Sequence, residues 1–207
     1  MMELFISAFA TLFVVIDPPG CAPIFSGLTA TATNAQRRIM AVRSVMIASG
    51  VLVIFAFFGR PLLGALGISL DAFRVAGGIM LFIIALEMVF EKRTEKRETR
   101  ANEAVGDPQV EDVSVFPMGI PMIAGPGSIA ALMLLMSETS TLAERGVVFG
   151  ALGLVLALTM IALLLAGPFL RLIGHKLEAT LTRLLGVILA ALAAQFVIDG
   201  LKASFAA

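Results

Sequence analysis

The chain has no tryptophan, no tyrosine, one cysteine and one histidine. A single cysteine excludes a disulfide framework or a dithiol redox pair, and Cys21 with His175 is too small a set for a zinc site. Without Trp and Tyr the usual interfacial aromatic belt is missing, as are the rings that stack on sugars or bases, so the expected ligand is small and weakly aromatic. Charge is scarce as well. Only 14% of the 207 residues are Asp, Glu, Lys or Arg, against about 25% in a typical soluble domain. Lys plus Arg and Asp plus Glu both total 15, so no global basic field draws in nucleic acid.

What the chain has instead is apolar surface. Apolar residues make up 59% of it and the mean hydropathy is +1.00, more than one globular core can bury. The bilayer must be part of the solvent. A helix needs about 20 apolar residues to cross ~30 Å of hydrocarbon, and six windows qualify: Leu4 to Ala30, Ile39 to Phe58, Leu70 to Phe90, Val115 to Met136, Gly146 to Leu165 and Leu181 to Leu201. The first 16 residues hold no Lys or Arg and the start is acidic, so this segment is expected to be retained rather than removed as a signal peptide.

Six spans sort the positive charges unequally. One face receives Arg37, Arg38, Arg43, Lys92, Arg93, Lys96, Arg97, Arg100, Arg171, Lys176 and Arg183, eleven in all; the other receives four, Arg60, Arg74, Arg145 and Lys202. Because translocating Lys and Arg is disfavoured, both termini are expected outside and the loop of residues 91–114 in the cytoplasm. That loop holds five basic and seven acidic residues and reads as a solvated linker or a frayed helical extension.

The two halves of the chain, residues 1–90 and 115–207, resemble each other at an offset of 107 positions. Ile16, Pro19 and Gly20 match Ile123, Pro126 and Gly127, with Cys21 opposite Ser128; further on, Pro61 matches Pro168 and Gly67 matches Gly174. After one inserted residue Gly78 matches Gly186 and Glu87 matches Gln195. Three spans per half is an odd number, so the second half enters the membrane in the opposite sense. The expected fold is all-α, with six transmembrane helices as two inverted three-helix repeats and a broken first helix in each. Inverted repeats recur in secondary transporters, with substrate bound at discontinuous helices near the midplane.

Those discontinuities are Asp17-Pro18-Pro19-Gly20 and Gly125-Pro126-Gly127-Ser128. Proline removes a backbone donor and disfavours helix in the residue before it, and unwound backbone inside a bilayer is tolerated only when buried in protein or lining a cavity. Helices restarting there present N–H groups suited to a carboxylate, and the carbonyls of the preceding half-helices suit an ammonium group. The candidate substrate-binding residues are therefore Asp17, Pro18, Gly20, Cys21, Gly125, Gly127 and Ser128, with Glu87 and Gln195 as secondary polar contacts. Asp17 reads equally as an N-cap and as a binding acid. Asp71 and Arg74 read as a local ion pair, His175 as an exposed structural residue, and Gly146 with Gly150 as a small-xxx-small packing face.

At these residues the sequence resembles the MarC family of bacterial inner-membrane proteins. The resemblance runs through Asp17 to Gly20, Pro23-Ile24-Phe25, Arg74 to Gly78, Phe116 to Gly127, Thr182 to Gly186 and Gln195 to Gly200. It implies kinship with a six-span neutral amino acid transporter family and, more distantly, with LysE-type exporters. The expected function is secondary transport of small neutral amino acids or similar zwitterions; a channel, or a structural or regulatory membrane protein, is the alternative. No enzyme activity, metal or cofactor is expected, a proton or sodium ion being the open choice for coupling, and a homo-oligomer is left open.

Overall fold

The computed structural model describes residues 1–93, 95–97, 99 and 112–206, with side chains described outside 167–179 and 206. Among the described residues every regular element is helical: α1 Met2–Ile16, α2 Pro18–Leu28, α3 Asn34–Ala65, α4 Leu70–Val89, α5 Ser114–Ile123, α6 Pro126–Ser137, α7 Leu142–Leu164 and α8 Ala166–Ala206. Five stretches are long and apolar enough to cross a membrane: Met2–Leu28, Asn34–Ala65, Leu70–Val89, Leu142–Leu164 and Thr180–Phe205. A sixth is added if α5 and α6, bent by 50° at their junction, count as one broken span.

Polar residues set where the helices begin. Thr33 and Gln36 form a reciprocal capping box on α3, Thr141 and Glu144 do the same on α7, and Ser69 accepts the Ala72 amide on α4. Capping explains why α3 starts five residues before the apolar window at Ile39: it takes Arg37 and Arg38 into its first turns. The helix ends where Gly67 turns left-handed at φ 69° and Ile68 donates back to the Leu63 carbonyl at 2.9 Å, a glycine-terminated stop.

The segment before the second break is less regular than two half-helices. α5 is wound in wide turns, Met118 donating to Val113 at 3.2 Å and Ala124 to Gly119 at 2.9 Å. Phe116 and Ile120 are extended, at ψ 131° and 125°. Each precedes a proline, Pro117 or Pro121, whose ring crowds the helical conformation of its neighbour. Both of those X-Pro bonds are cis.

The core lies where α1, α2, α6 and α7 meet. Leu12, Ile16, Phe25, Leu132, Leu135 and Leu152 are buried there, and every residue from Ala130 to Leu135 of α6 is buried. The apolar outer surface is lipid-facing in character: Phe58 is 65% exposed and Val187 59%.

α4 packs along α8 more extensively than any other pair, and glycines make that approach close. A Cβ on Gly78 would lie 2.9 Å from the Ala193 carbonyl oxygen, and one on Gly186 3.1 Å from the Ala85 oxygen. Gly146 and Gly150, expected to serve such a contact, do not: a Cβ at either position would meet no atom of the described residues within 4 Å. Their face of α7 is open.

Ion pairs gather the charges of one end, Arg43 with Asp112 and Arg183 with Glu91, both at 2.5 Å. Elsewhere Arg74 pairs with Asp71 at 3.4 Å, as its spacing indicates, and also reaches Glu138 at 3.7 Å. Burial raises the Glu138 carboxyl above the ordinary glutamate range.

Candidate functional site at the two helix breaks

The first break is a single residue wide. Asp17 alone leaves the helical conformation, at φ 59° and ψ 66°, and its amide still closes α1 on the Phe13 carbonyl at 2.9 Å. Pro18 and Pro19 do not unwind the chain further because they occupy the first positions of α2, where no N–H is needed and φ is already set. The Asp17 carboxylate accepts the Gly20 amide at 3.1 Å, an N-cap. Glycine leaves room for it: a Cβ on Gly20 would overlap the carboxylate and displace it.

The second break opens on the start of α6. Gly125 is extended, Pro126 is the first helical residue, and Ser128 accepts the Gly125 amide at 2.9 Å while donating to the Ile123 carbonyl at 2.7 Å. The amides of Gly127 and Ser128 have no acceptor within their own helix. The breaks lie against each other, since a Cβ on Gly127 would meet Ile84 at 2.5 Å and Val15 at 3.2 Å.

Two arginines from the segment after α4 complete the arrangement. Arg97 pairs with Asp17 at 3.0 Å, both side chains at least nine-tenths buried, and reaches the Ile16 carbonyl at 3.5 Å. Arg93 donates to the Val15 carbonyl at 2.5 Å and contacts the Met88 sulfur at 3.0 Å. The guanidinium groups thus take up carbonyls left open at the end of α1, the end a helix offers to a cation. Among the described residues no carboxylate is hydrogen-bonded to Arg93. Burial together with nearby Arg97 pulls it down to about 10, so it is still charged at neutral pH. Lys96 pairs with Glu87.

Beside the second break, and reaching the end of α1 at Val15, lies a cavity of about 300 Å³ whose lining includes Ile84, Glu87, Arg93, Lys96, Arg97 and the run Gly125 to Ser128. Of the residues expected at a site, Gly125, Gly127, Ser128 and Glu87 are on its wall. Asp17, Pro18, Gly20 and Cys21 are buried behind it, and the Cys21 thiol faces the Ile16 carbonyl at 3.5 Å. Gln195 is elsewhere on α8, donating to Asp199 at 2.9 Å. Arg93, Lys96 and Arg97 are missing from the expected site, because the segment of residues 91–114 reads as a solvated linker. Their spacing of three and four places them on one face of a helical turn, and the described part of that segment is helical at 92–93, 95–97 and 99. Residues 94, 98 and 100–111, and the side chains of Arg171, His175 and Lys176, lie outside the described residues.

The whole of this framework matches a known family: the profile described as MarC family integral membrane protein covers residues 2–205. The chain belongs to the MarC family. A UPF0056 membrane protein of Methanocaldococcus jannaschii is 37% identical over 201 residues, covering 97% of each chain. A UPF0056 membrane protein of Buchnera aphidicola is 35% identical over 204 residues, covering 99% of each. The UPF0056 inner membrane protein YhgN of Escherichia coli K12 is 34% identical over 201 residues, 97% of this chain and 98% of its own. No solved structure matches the chain. Both breaks and the basic segment after α4 fall inside the part of this MarC family member that the profile covers. Among the described residues no three His, Cys, Asp or Glu side chains gather to hold a metal ion.

Proposed function

We propose that this integral membrane protein is a secondary transporter of small carboxylate-bearing solutes across the inner membrane, with small neutral amino acids as the leading class. The observation that carries the reading is the cavity beside the second break, where the open N-terminus of α6 and the Arg93 guanidinium face one small space. Helix N-termini and arginines both favour carboxylates. About 300 Å³ is at the small end of ligand cavities, which suits a solute the size of glycine or alanine. Glu87, held by Lys96, is the one lining carboxylate among the described residues that could meet an ammonium group.

Alternating access rests on the internal resemblance of the halves. The matched residues Gly78 and Gly186 support it, each seating its own helix against the other's. The orientation that follows has both termini outside and the basic segment in the cytoplasm.

The charge count favours a second substrate class. Arg93, Lys96 and Arg97 outnumber Glu87 and Asp17 by one, so a net-negative small carboxylate balances the site better than a zwitterion. Proteoliposome uptake of labelled glycine, alanine, lactate and acetate separates the two. Amino acid transport lost in Gly127→Leu and Glu87→Gln supports the zwitterion; lactate or acetate transport lost in Gly127→Leu but kept in Glu87→Gln supports the anion. No uptake of any member in either direction overturns the transporter reading.

A further inference from the structure

We propose that a second cavity, at the start of α3, binds the headgroup phosphate of an anionic phospholipid. It measures about 360 Å³ and lies between the end of α2, the first turns of α3 and the junction of α7 with α8. Its polar wall is Ser26, Thr29, Asn34, Arg37 and Arg38; its apolar wall includes Phe25, Leu163 and Leu164. Leu164 is 43% exposed, so the apolar side opens on the surface that lipid covers.

The helix itself is built for an anion there. The first turn of a helix carries a partial positive charge and ordinarily takes Asp or Glu. α4 has Asp71 and α7 has Glu144 in that place, whereas α3 has no acid, a neutral Gln36 in its capping box, and two arginines immediately after it. Arg37 is half accounted for, since it donates to the Thr29 carbonyl at 2.8 Å and the Ala30 carbonyl at 3.1 Å and so caps α2. That leaves three of its five N–H groups. Arg38 is exposed and has no hydrogen bond or ion pair among the described residues. Two cations at the wrong end of a helix dipole, beside a cavity with a hydrocarbon wall, match a phosphate with acyl chains attached.

The cavity that holds Arg60 and Arg145, about 220 Å³, is the useful contrast. Arg60 lies in the second half of α3, towards the end that favours a cation, and Arg145 follows Glu144 directly in α7. Arg60 thus sits at the favourable end of its helix, and the first turn of α7, unlike that of α3, carries an acid beside its arginine. Basic pockets between membrane helices are a recurrent form of anionic lipid recognition, and each Lys or Arg near an anionic surface contributes about 1 kcal/mol, roughly fivefold in affinity.

The test uses the full chain in detergent micelles, titrated separately with dioleoylphosphatidylglycerol, dioleoylphosphatidylcholine and inorganic phosphate, and read by native mass spectrometry and thermal unfolding. Phosphatidylglycerol is expected to bind in preference to phosphatidylcholine. Its affinity should fall about fivefold in Arg38→Gln and further in Asn34→Ala/Arg38→Gln, and be unchanged in Arg60→Gln. Both altered side chains are exposed, and unfolding without lipid checks that the variants are intact. Equal binding of the two lipids, an equal loss in Arg60→Gln, or protection by inorganic phosphate alone overturns the proposal.

Discussion

Asp17 uses its two carboxylate oxygens differently: Oδ1 accepts the Gly20 amide that starts α2, and Oδ2 faces Arg97 at 3.0 Å. Cap and ion pair can be separated by substitution. Asp17→Asn keeps an oxygen for the cap and removes the charge, which strands Arg97 in a buried site. Removing one member of a buried pair costs about 3–5 kcal/mol because the other is left uncompensated. Asp17→Asn and Arg97→Gln are each expected to lower the unfolding temperature in detergent, and the double variant to lose clearly less than the sum. Additive losses would show that the two side chains do not depend on each other.

Among the elements, α4 and α8 depend on glycine and α7 does not. At Gly78 the nearest atoms to an added Cβ include the backbone of Ala193 and Val197, which cannot rotate away. Gly78→Ala therefore forces the helices apart, at a cost of about 1–3 kcal/mol. Gly150→Ala meets no atom of the described residues and should not destabilise, alanine being the better helix former by up to about 1 kcal/mol. Thermal unfolding of the two variants side by side checks this, and a Gly150→Ala loss as large as that of Gly78→Ala would place a contact on the open face of α7. The glycine spacing alone marks Gly146 and Gly150 as readily as Gly78, because spacing specifies a small-residue face but not the helix that covers it.

At the scale of the molecule, the break is expected to move if access to it alternates. Cys21 is the one cysteine of the chain, is fully buried, and sits one turn beyond Asp17 on α2. Its alkylation by a membrane-permeant maleimide should be slow in the resting protein and change in rate on adding a transported solute. Arg97→Gln, which takes away the cover over the break, should speed it further. A rate indifferent to every solute that proteoliposomes accumulate would mean that the α1–α2 junction stays closed during transport.

The apolar windows and the two breaks are legible in the sequence, and the caps at Thr33, Ser69 and Thr141, which the reading by apolar windows passes over, are equally local, because each is decided within one or two turns of chain. A proline affects its own turn and its predecessor, and a capping hydroxyl reaches an amide three residues away. The broken fourth span is legible in place but not in form, because Pro117 and Pro121 act together to distort all of α5. What tertiary structure alone decided is the charge of the site. Arg93 and Arg97 reach Val15 and Asp17 across 78 and 80 residues of chain, and no local rule sends a basic segment back to a break so distant in sequence. The carbonyls that end α1 needed donors, and in a low-dielectric interior the folded chain met that need with its own guanidinium groups. A chain with so little charge thus concentrates part of it where backbone polarity would otherwise be left unpaired.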